Sequence, residues 1–122
     1  MVYKDQGEYD GGFYNELFHG KGSLKLKGKV ISAYWLNGVA EQSSVIEYDN
    51  GNLYYGSIKE YKKHGYGYLY FPNDTKFHGQ FVDDQIKGYG EYYEKGKIKY
   101  KGIWLNGALV QPMKLDEEAY RE

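Results

Sequence analysis

Apolar and polar residues alternate along this chain in short runs, which is the pattern of β-strands that have two different faces. Turn sequences such as Asn37-Gly38 and Asp49-Asn50-Gly51 separate the runs. Within one run Tyr54, Gly56 and Ile58 occupy alternate positions, so their side chains share one face of a strand. The pattern therefore predicts strands joined by tight turns, with aromatic side chains gathered on one face.

The runs are copies of one another. Each copy reads aromatic, any residue, glycine, any residue, aromatic, and continues through a turn into a second strand that contains Gly-any-Gly. The copies start at residues 9, 31, 54, 77 and 100, with spacings of 22, 23, 23 and 23 residues. We call the copies units 1 to 5, and their two aromatic positions the leading ring and the following ring. This regularity predicts an array in which each hairpin contacts mainly its neighbours in sequence.

The glycines of the repeat are predicted to make room for the rings. A glycine inside a strand weakens it, but it also allows a ring or a neighbouring backbone to approach closely. In unit 2, Ala33 replaces the glycine of the first strand, and Gln42 and Ser44 replace the Gly-any-Gly pair. We therefore expect the array to be narrower or bent at unit 2. The repeat glycines are Gly11, Gly20, Gly22, Gly56, Gly65, Gly67, Gly79, Gly88, Gly90 and Gly102.

This repeat resembles the MORN repeat. Units 1, 3 and 4 carry the resemblance most clearly, as in Tyr54-Tyr55-Gly56-Ser57-Ile58 followed by His64-Gly65-Tyr66-Gly67. The resemblance covers residues 1–110 as about four and a half repeats, and it identifies the chain as a short stand-alone array. It implies an all-β fold, namely a single-layer, twisted and curled antiparallel sheet of consecutive hairpins. It also implies a binding module and not an enzyme.

Residues 111–122 depart from the strand pattern. Pro112 can occupy the first turn of a helix, and acidic residues alternate with apolar ones after it. We predict a repeat domain over residues 1–110 and a short capping helix or tail over residues 111–122. Unit 5 would then end at Val110 after one strand, which leaves the C-terminal edge of the sheet open.

Composition narrows the class of protein. The 122 residues include 16 Tyr and 17 Gly but no Cys, so disulfides and thiolate metal sites are excluded. The net charge of −1 gives no general attraction to nucleic acid. The sequence contains no signal-peptide core and no apolar stretch long enough to span a membrane. We therefore predict an intracellular, cytoplasmic protein that does not bind nucleic acid.

Patterns that could indicate catalysis or metal binding are explained by the repeat. His19 and His64 occupy the same position two units apart, about 19 Å at four strand spacings, whereas a shared metal needs bonds of about 2 Å. Gly20-Lys21-Gly22-Ser23 resembles part of a phosphate loop, but its glycines recur inside strands. Asp83-Asp84 lies in a turn, where solvated charge is expected. We predict no catalytic site, no metal and no cofactor.

The aromatic face is the predicted binding site. In a one-layer sheet the rings that hold the curl would also form the floor of an apolar groove, which could hold a partner segment. We predict a scaffold subunit that bridges or holds proteins of a larger assembly, and the resemblance implies ciliary or cytoskeletal assemblies. The predicted groove residues are Tyr9, Phe13, Trp35, Tyr54, Ile58, Phe77, Phe81, Tyr100 and Trp104.

An alternative function is a peripheral membrane module that binds acidic phospholipids. Alternating lysines would project from the face opposite the groove, and each could attract an anionic headgroup by about 1 kcal/mol. The same lysines could instead keep a one-layer sheet soluble and discourage pairing of its edges. The predicted lipid-facing residues are Lys25, Lys27, Lys97, Lys99 and Lys101.

Overall fold

The computed structural model of the chain describes residues 2–3, 7–41 and 43–115. These residues form one antiparallel sheet of twelve strands and include no helix. Accordingly, no helix in the described part of the chain could span a membrane. The strands are β1 (Val2–Tyr3), β2 (Gly7–Tyr14), β3 (Leu17–Leu26), β4 (Lys29–Leu36), β5 (Val39–Ala40), β6 (Ser44–Tyr48), β7 (Leu53–Lys59), β8 (Lys62–Phe71), β9 (Thr75–Val82), β10 (Gln85–Glu94), β11 (Lys97–Leu105) and β12 (Ala108–Pro112).

The order of the strands in the sheet follows their order in the chain. The strands from β1 to β4 pair in sequence, β6 pairs with β4, and the strands from β6 to β12 again pair in sequence, while the short strand β5 also pairs with β4. Units 1, 3, 4 and 5 are the hairpins β2–β3, β7–β8, β9–β10 and β11–β12, while unit 2 comprises β4, β5 and β6. The prediction of a single open sheet of consecutive hairpins is therefore confirmed.

The core lies on one face of the sheet, which we call the inner face. The leading residues Tyr9, Ile31, Tyr54 and Phe77 are all buried, with at most 1% of their surface exposed. A single layer can bury side chains to this degree only if it curls around the inner face, so that residues of successive units cover one another.

Glycines seat the leading rings, as the repeat pattern predicts. A Cβ atom on Gly67 would lie 2.4 Å from the hydroxyl of Tyr54, and one on Gly90 would lie 2.1 Å from the Phe77 ring. Gly56 lies opposite Gly67 in the ladder, and its own Cβ would lie 2.7 Å from the Gly67 backbone. In units 1, 3 and 4 the leading ring therefore lies against two facing glycines of its own hairpin.

The following ring of one unit covers the leading ring of the unit before it. Trp104 meets Phe77 edge to face with ring centroids 5.3 Å apart, and Phe81 meets Tyr54 at the same distance. The Trp104 indole also donates a 3.0 Å hydrogen bond to the Gly90 carbonyl, as Trp35 does to Gly22. These contacts join units 1 and 2, units 3 and 4, and units 4 and 5, and the hydrogen bonds satisfy the N–H groups of both indoles.

Unit 2 is divided where its glycines are replaced. Gly20, Gly65 and Gly88 have φ angles of 79°, 97° and 106°, a left-handed conformation that only glycine adopts without cost. The matching position of unit 2 holds Gln42, which lies outside the described residues. The second strand of this unit is correspondingly split into β5 and β6. The expected irregularity at unit 2 is therefore a split strand.

The predicted C-terminal helix is wrong where the structure describes the segment. Pro112 is the last residue of β12, and residues 113–115 form no regular element. Unit 5 consequently has a short second strand and does not end after one strand at Val110. The edge of β11 explains this, because its free backbone groups pair with β12 and accept a 2.9 Å hydrogen bond from Met113. Residues 116–122 of the predicted helix lie outside the described residues.

Candidate functional site

Most of the predicted groove is closed core. Five of the nine predicted groove residues have at most 3% of their surface exposed, which leaves little of them for a partner to contact: Tyr9, Trp35, Tyr54, Phe77 and Phe81. Ile58 and Trp104 are partly buried against this core. Phe13 and Tyr100 are 39% and 49% exposed, because they stand at the two ends of the array, where no described unit covers them. A continuous open groove from unit 1 to unit 5 is therefore not present.

An open cleft lies on the inner face between units 2 and 3, and we call it the junction cleft. It has a volume of about 540 Å³ and is lined by Trp35, Gly38, Val39, Ala40, Ile58, Lys59, Glu60 and Tyr61. A recess of about 550 Å³ lies behind it on the outer face, and Ala40 and Ile58 line both. The sheet is thus open between β5 and the end of β7. A cleft of this volume falls in the range typical of ligand sites, roughly 300 to 1,000 Å³.

The junction cleft exists because unit 2 has a small residue where the other units have large ones. This position, two residues after the first turn of each unit, is the post-turn position. In unit 1 its side chain, Phe18, stacks on Tyr9 with ring centroids 3.8 Å apart. The methyl group of Ala40 is too small to make such a contact. The post-turn residues of units 1 to 5 are Phe18, Ala40, Lys63, Ile86 and Leu109. The sequence analysis missed this position, although aligning the units reveals it.

Backbone hydrogen bonds tie the turns of neighbouring units together at three of the four junctions. Gly38, Asp84 and Gly107 each donate from the turn of one unit to the post-turn carbonyl of the unit before, over 2.8 to 3.3 Å. At the junction of units 2 and 3, side chains span the gap. The Tyr61 ring meets Trp35 edge to face at 6.3 Å, and Lys29 donates a 2.6 Å hydrogen bond to the Tyr61 carbonyl.

Tyr61 has a backbone conformation that is unusual for an aromatic residue. Its φ angle is 67°, in the left-handed region, as required at the second position of a tight hairpin turn. The matching residues of units 2 and 5 are Gly38 and Gly107, which adopt this region freely. A bulky residue there costs of order 1 to 3 kcal/mol. Tyr61 adopts this conformation despite its cost, and its ring lies in the wall of the cleft.

An ion pair between a buried lysine and a partly exposed aspartate lies on the inner face. The ammonium group of Lys63 lies 3.4 Å from the carboxylate of Asp84 and donates a 2.9 Å hydrogen bond to the Tyr48 hydroxyl. The same carboxylate accepts a 2.7 Å hydrogen bond from the Lys63 backbone. Lys63 is only 9% exposed. Sequence reasoning missed this pair, because a lysine that directly follows a turn has the pattern of a solvated residue.

The pKa values of nearby groups show how closed this region is. Burial raises the pKa of the Tyr48 and Tyr54 hydroxyls, and the Asp84 charge adds to both shifts. Burial also lowers the pKa of Lys29, and the positive charges of Lys63 and Lys62 lower it further, while Asp84 opposes these effects. The protein therefore holds Lys29 where its charge is poorly solvated.

These shifts predict that alkali destabilises the protein. Above pH 10.0, the ordinary pKa of tyrosine, the unfolded chain releases tyrosine protons that the folded chain retains, so the free energy of unfolding falls. Lys29 acts in the opposite direction only up to its ordinary pKa of 10.5. Tyr54 alone should contribute up to about 1.4 kcal/mol per pH unit. The measurement is urea unfolding between pH 10.5 and about 12.

The control for this prediction is Tyr54→Phe, which places in unit 3 the residue that unit 4 has naturally at Phe77. This variant should lose the pH slope contributed by Tyr54, whereas Tyr66→Phe, whose ring lies in solvent, should keep the full slope. Equal slopes for both variants would contradict the assignment.

The predicted lipid-facing lysines alternate with acidic residues. Glu8 lies opposite Lys25 in the ladder, Glu91 lies opposite Lys101, and Glu94 lies opposite Lys97. Glu94 also forms a 3.3 Å ion pair with Lys99. Lys27 lies in a turn. Lys25, Lys97 and Lys99 are exposed, but these pairings leave no continuous cationic surface on this face.

The histidines have structural positions. His19 and His64 each accept a hydrogen bond from the turn of the next unit, donated by Asn37 at 3.4 Å and by Asp83 at 3.3 Å. His78 stacks on Tyr68 with ring centroids 4.0 Å apart on the outer face. Among the described residues, no three metal-ligating side chains come together.

The outer face of units 3 and 4 has a tyrosine surface. Tyr55 and Tyr66 are exposed there, and Lys76 lies between the rings of Tyr68 and Tyr93, 5.7 and 4.9 Å from their centroids. The hydroxyls of Tyr89 and Tyr93 both donate to Glu91, over 2.8 and 2.7 Å. These contacts hold the Lys76, Tyr89 and Tyr93 side chains in place on the surface.

These features define a class of protein: a single-layer array of β-hairpin repeats in which glycines seat aromatic rings and each unit covers the one before it. The family model of the MORN repeat matches residues 9–27, 54–76 and 77–97, together more than half of the chain. The chain therefore belongs to the MORN repeat family. Unit 2, where the strand is split, lies outside the matched segments. No curated protein matches the sequence.

Proposed function

We propose that this protein is a non-catalytic scaffold that binds a segment of a partner protein on its inner face, anchored in the junction cleft. The cleft itself supports this proposal. It opens the inner face between units 2 and 3, its volume of about 540 Å³ is twice the 270 Å³ of the recess beside Lys63 and Ile86, and it is walled by Trp35 and Tyr61. Aromatic side chains in a concave apolar site are the usual anchors of protein interfaces.

Membership of the MORN repeat family agrees with a binding role, since such repeats commonly bind proteins or membranes. The observations favour a protein partner. Lys101 lies opposite Glu91 and Lys97 lies opposite Glu94. This surface therefore has little net positive charge with which to attract an acidic membrane. The cleft, by contrast, has the shape to hold a side chain. Ciliary or cytoskeletal assembly remains a proposal about where such a partner is found.

Photocross-linking tests this function in native cells. A benzophenone amino acid at Val39, which lines the cleft and is exposed, should yield an adduct with one partner protein. The same amino acid at Val110, exposed on the edge strand β12, is the matched control. Ala40→Leu should abolish the adduct at Val39, because it places a larger side chain in the cleft, at a position where units 4 and 5 have Ile86 and Leu109.

The variant is expected to fold, since large post-turn residues occur naturally in the other four units. Adducts of equal yield from positions 39 and 110, or an adduct at Val39 that survives Ala40→Leu, would reject the cleft as the binding site.

A further inference from the structure

We propose that the occupant of the junction cleft is an aromatic side chain carried by an acidic segment of the partner protein. This inference rests on the proposed function and specifies the chemistry of the partner. The partner's ring would take the place of the post-turn side chain that unit 2 lacks, and carboxylates beside it would lie near a group of lysines.

The structure itself shows what fits the position. In unit 1, Phe18 stacks on the leading ring and meets the following ring of unit 2, Trp35, edge to face at 5.2 Å. In unit 2, the same position is occupied only by the methyl group of Ala40, and the space beside it opens to solvent. A ring from another molecule would pack against Trp35, Ile58 and Tyr61, which line this space. Shape and chemistry therefore favour an aromatic ring.

The walls of the cleft are held in place before any partner arrives. The indole of Trp35 is fixed by its 3.1 Å hydrogen bond to the Gly22 carbonyl. Tyr61 is held by a left-handed backbone and by the 2.6 Å hydrogen bond from Lys29 to its carbonyl. Preformed walls reduce the entropy lost on binding, so the strained conformation of Tyr61 has a use at this site.

The charges around the cleft favour carboxylates. Lys59 lies in its wall, Lys29 bonds to Tyr61, and Lys62 lies close enough to Lys29 to disfavour its charge. Glu60 is the acidic residue of the lining, and Asp84 is engaged by Lys63. Three lysines therefore lie near two carboxylates, that of Glu60 in the lining and that of Glu41 in the adjoining recess, which is an excess of one positive charge. An acidic segment would balance this excess and stabilise the poorly solvated Lys29 ammonium.

Tryptophan fluorescence provides the test. Trp104→Phe leaves Trp35, in the cleft wall, as the single tryptophan, and Phe81 shows that phenylalanine fits the following-ring position. The probe is a random copolymer of glutamate and tyrosine, excited at a wavelength that tyrosine does not absorb. We expect a saturable change in Trp35 emission. Poly-glutamate at equal carboxylate concentration, and a lysine–tyrosine copolymer, should bind at least about tenfold more weakly, the loss expected when one buried ring or its charge complement is absent.

Two variants of the single-tryptophan protein separate the parts of the proposal. Ala40→Leu fills the cleft, and Tyr61→Gly removes one wall while placing in the turn the residue that Gly38 and Gly107 provide naturally. Both should weaken the glutamate–tyrosine copolymer at least about tenfold, in line with the loss of one buried ring contact, and circular dichroism should show an intact sheet. Lys59→Ala combined with Lys62→Ala should weaken it and leave its aromatic selectivity unchanged.

Three outcomes would overturn the inference. They are equal binding of poly-glutamate and of the glutamate–tyrosine copolymer, stronger binding of the lysine–tyrosine copolymer, and a Trp35 response to phosphatidylserine vesicles without one to the copolymer. Failure of the proposed function differs from all of these, because it is read from the Val39 adduct. An adduct blocked by Ala40→Leu, with no preference for acidic aromatic chains, would retain the scaffold and reject this occupant.

Discussion

Gly67→Ala is expected to lower the free energy of unfolding by about 3 kcal/mol or more, one of the largest effects that a single methyl group can have. The added Cβ would lie 2.4 Å from the Tyr54 hydroxyl and 2.6 Å from the ring carbons. Tyr54 cannot move aside, because it is fully buried, is covered by Phe81 and donates a 2.7 Å hydrogen bond to the Ser57 carbonyl. Urea unfolding followed by circular dichroism measures the loss.

Gly96→Ala is the matched control for this prediction. Gly96 lies in the turn between β10 and β11, and no atom lies within 4 Å of a Cβ built there. Its φ angle of 80° gives alanine only a backbone cost, of about 1 kcal/mol. If the two variants lost equal stability, the seating of rings on glycines would not be the main constraint on these positions.

Asp84→Asn is expected to lower the free energy of unfolding by about 2 kcal/mol, because it leaves the ammonium of Lys63 buried without its counter-ion. Loss of a fully buried partner costs more, but the Asp84 side chain is 36% exposed, so water screens part of the effect. Asparagine tolerates the left-handed backbone at this position, so the change isolates the charge. The measurement is again the midpoint and slope of urea unfolding.

Two further variants make this second prediction specific. Asp83→Asn alters the neighbouring residue of the same turn, which is 70% exposed, and should change stability by less than about 0.5 kcal/mol. Lys63→Ile, in combination with Asp84→Asn, should recover most of the lost stability, because unit 4 has Ile86 at the same position. A double variant no more stable than Asp84→Asn alone would show that the buried ammonium is not the cause.

The fold was predictable because its determinants recur with a fixed period. Unit 3 has the ring of Tyr54 with the glycines Gly56 and Gly67, and unit 4 has a ring and two glycines at the same spacing. Only a hairpin array brings such a ring and its glycines together. The helix predicted after Val110 was wrong over residues 111–115, because the chain itself pairs with the edge that was expected to stay open at unit 5. The hydrogen bonds offered by an open strand outweighed the local helix propensity of this segment.

The open part of the inner face could not be predicted from the strand alternation. Alternation assigns Trp35 and Phe81 to the same face as Ile58, but it does not say which of them a neighbouring unit will cover. That depends on the post-turn position, where the side chain lies over the adjacent unit, and on its truncation at Ala40. The ion pair of Lys63 with Asp84 depends on how two turns of different units stack, which no single unit specifies.

The split strand of unit 2 also bears on how cooperatively the array unfolds. In a linear array each unit is stabilised mainly by its neighbours, so the weakest junction sets the boundary between blocks that open separately. Between units 2 and 3 the pairing of β6 with β7 is retained, but β5 and β7 are not joined on the side of the cleft. A ligand bound there would contact both blocks, so that they would unfold together. Occupancy of the cleft would thus be communicated along the whole sheet as a change in stiffness, without a change in its shape.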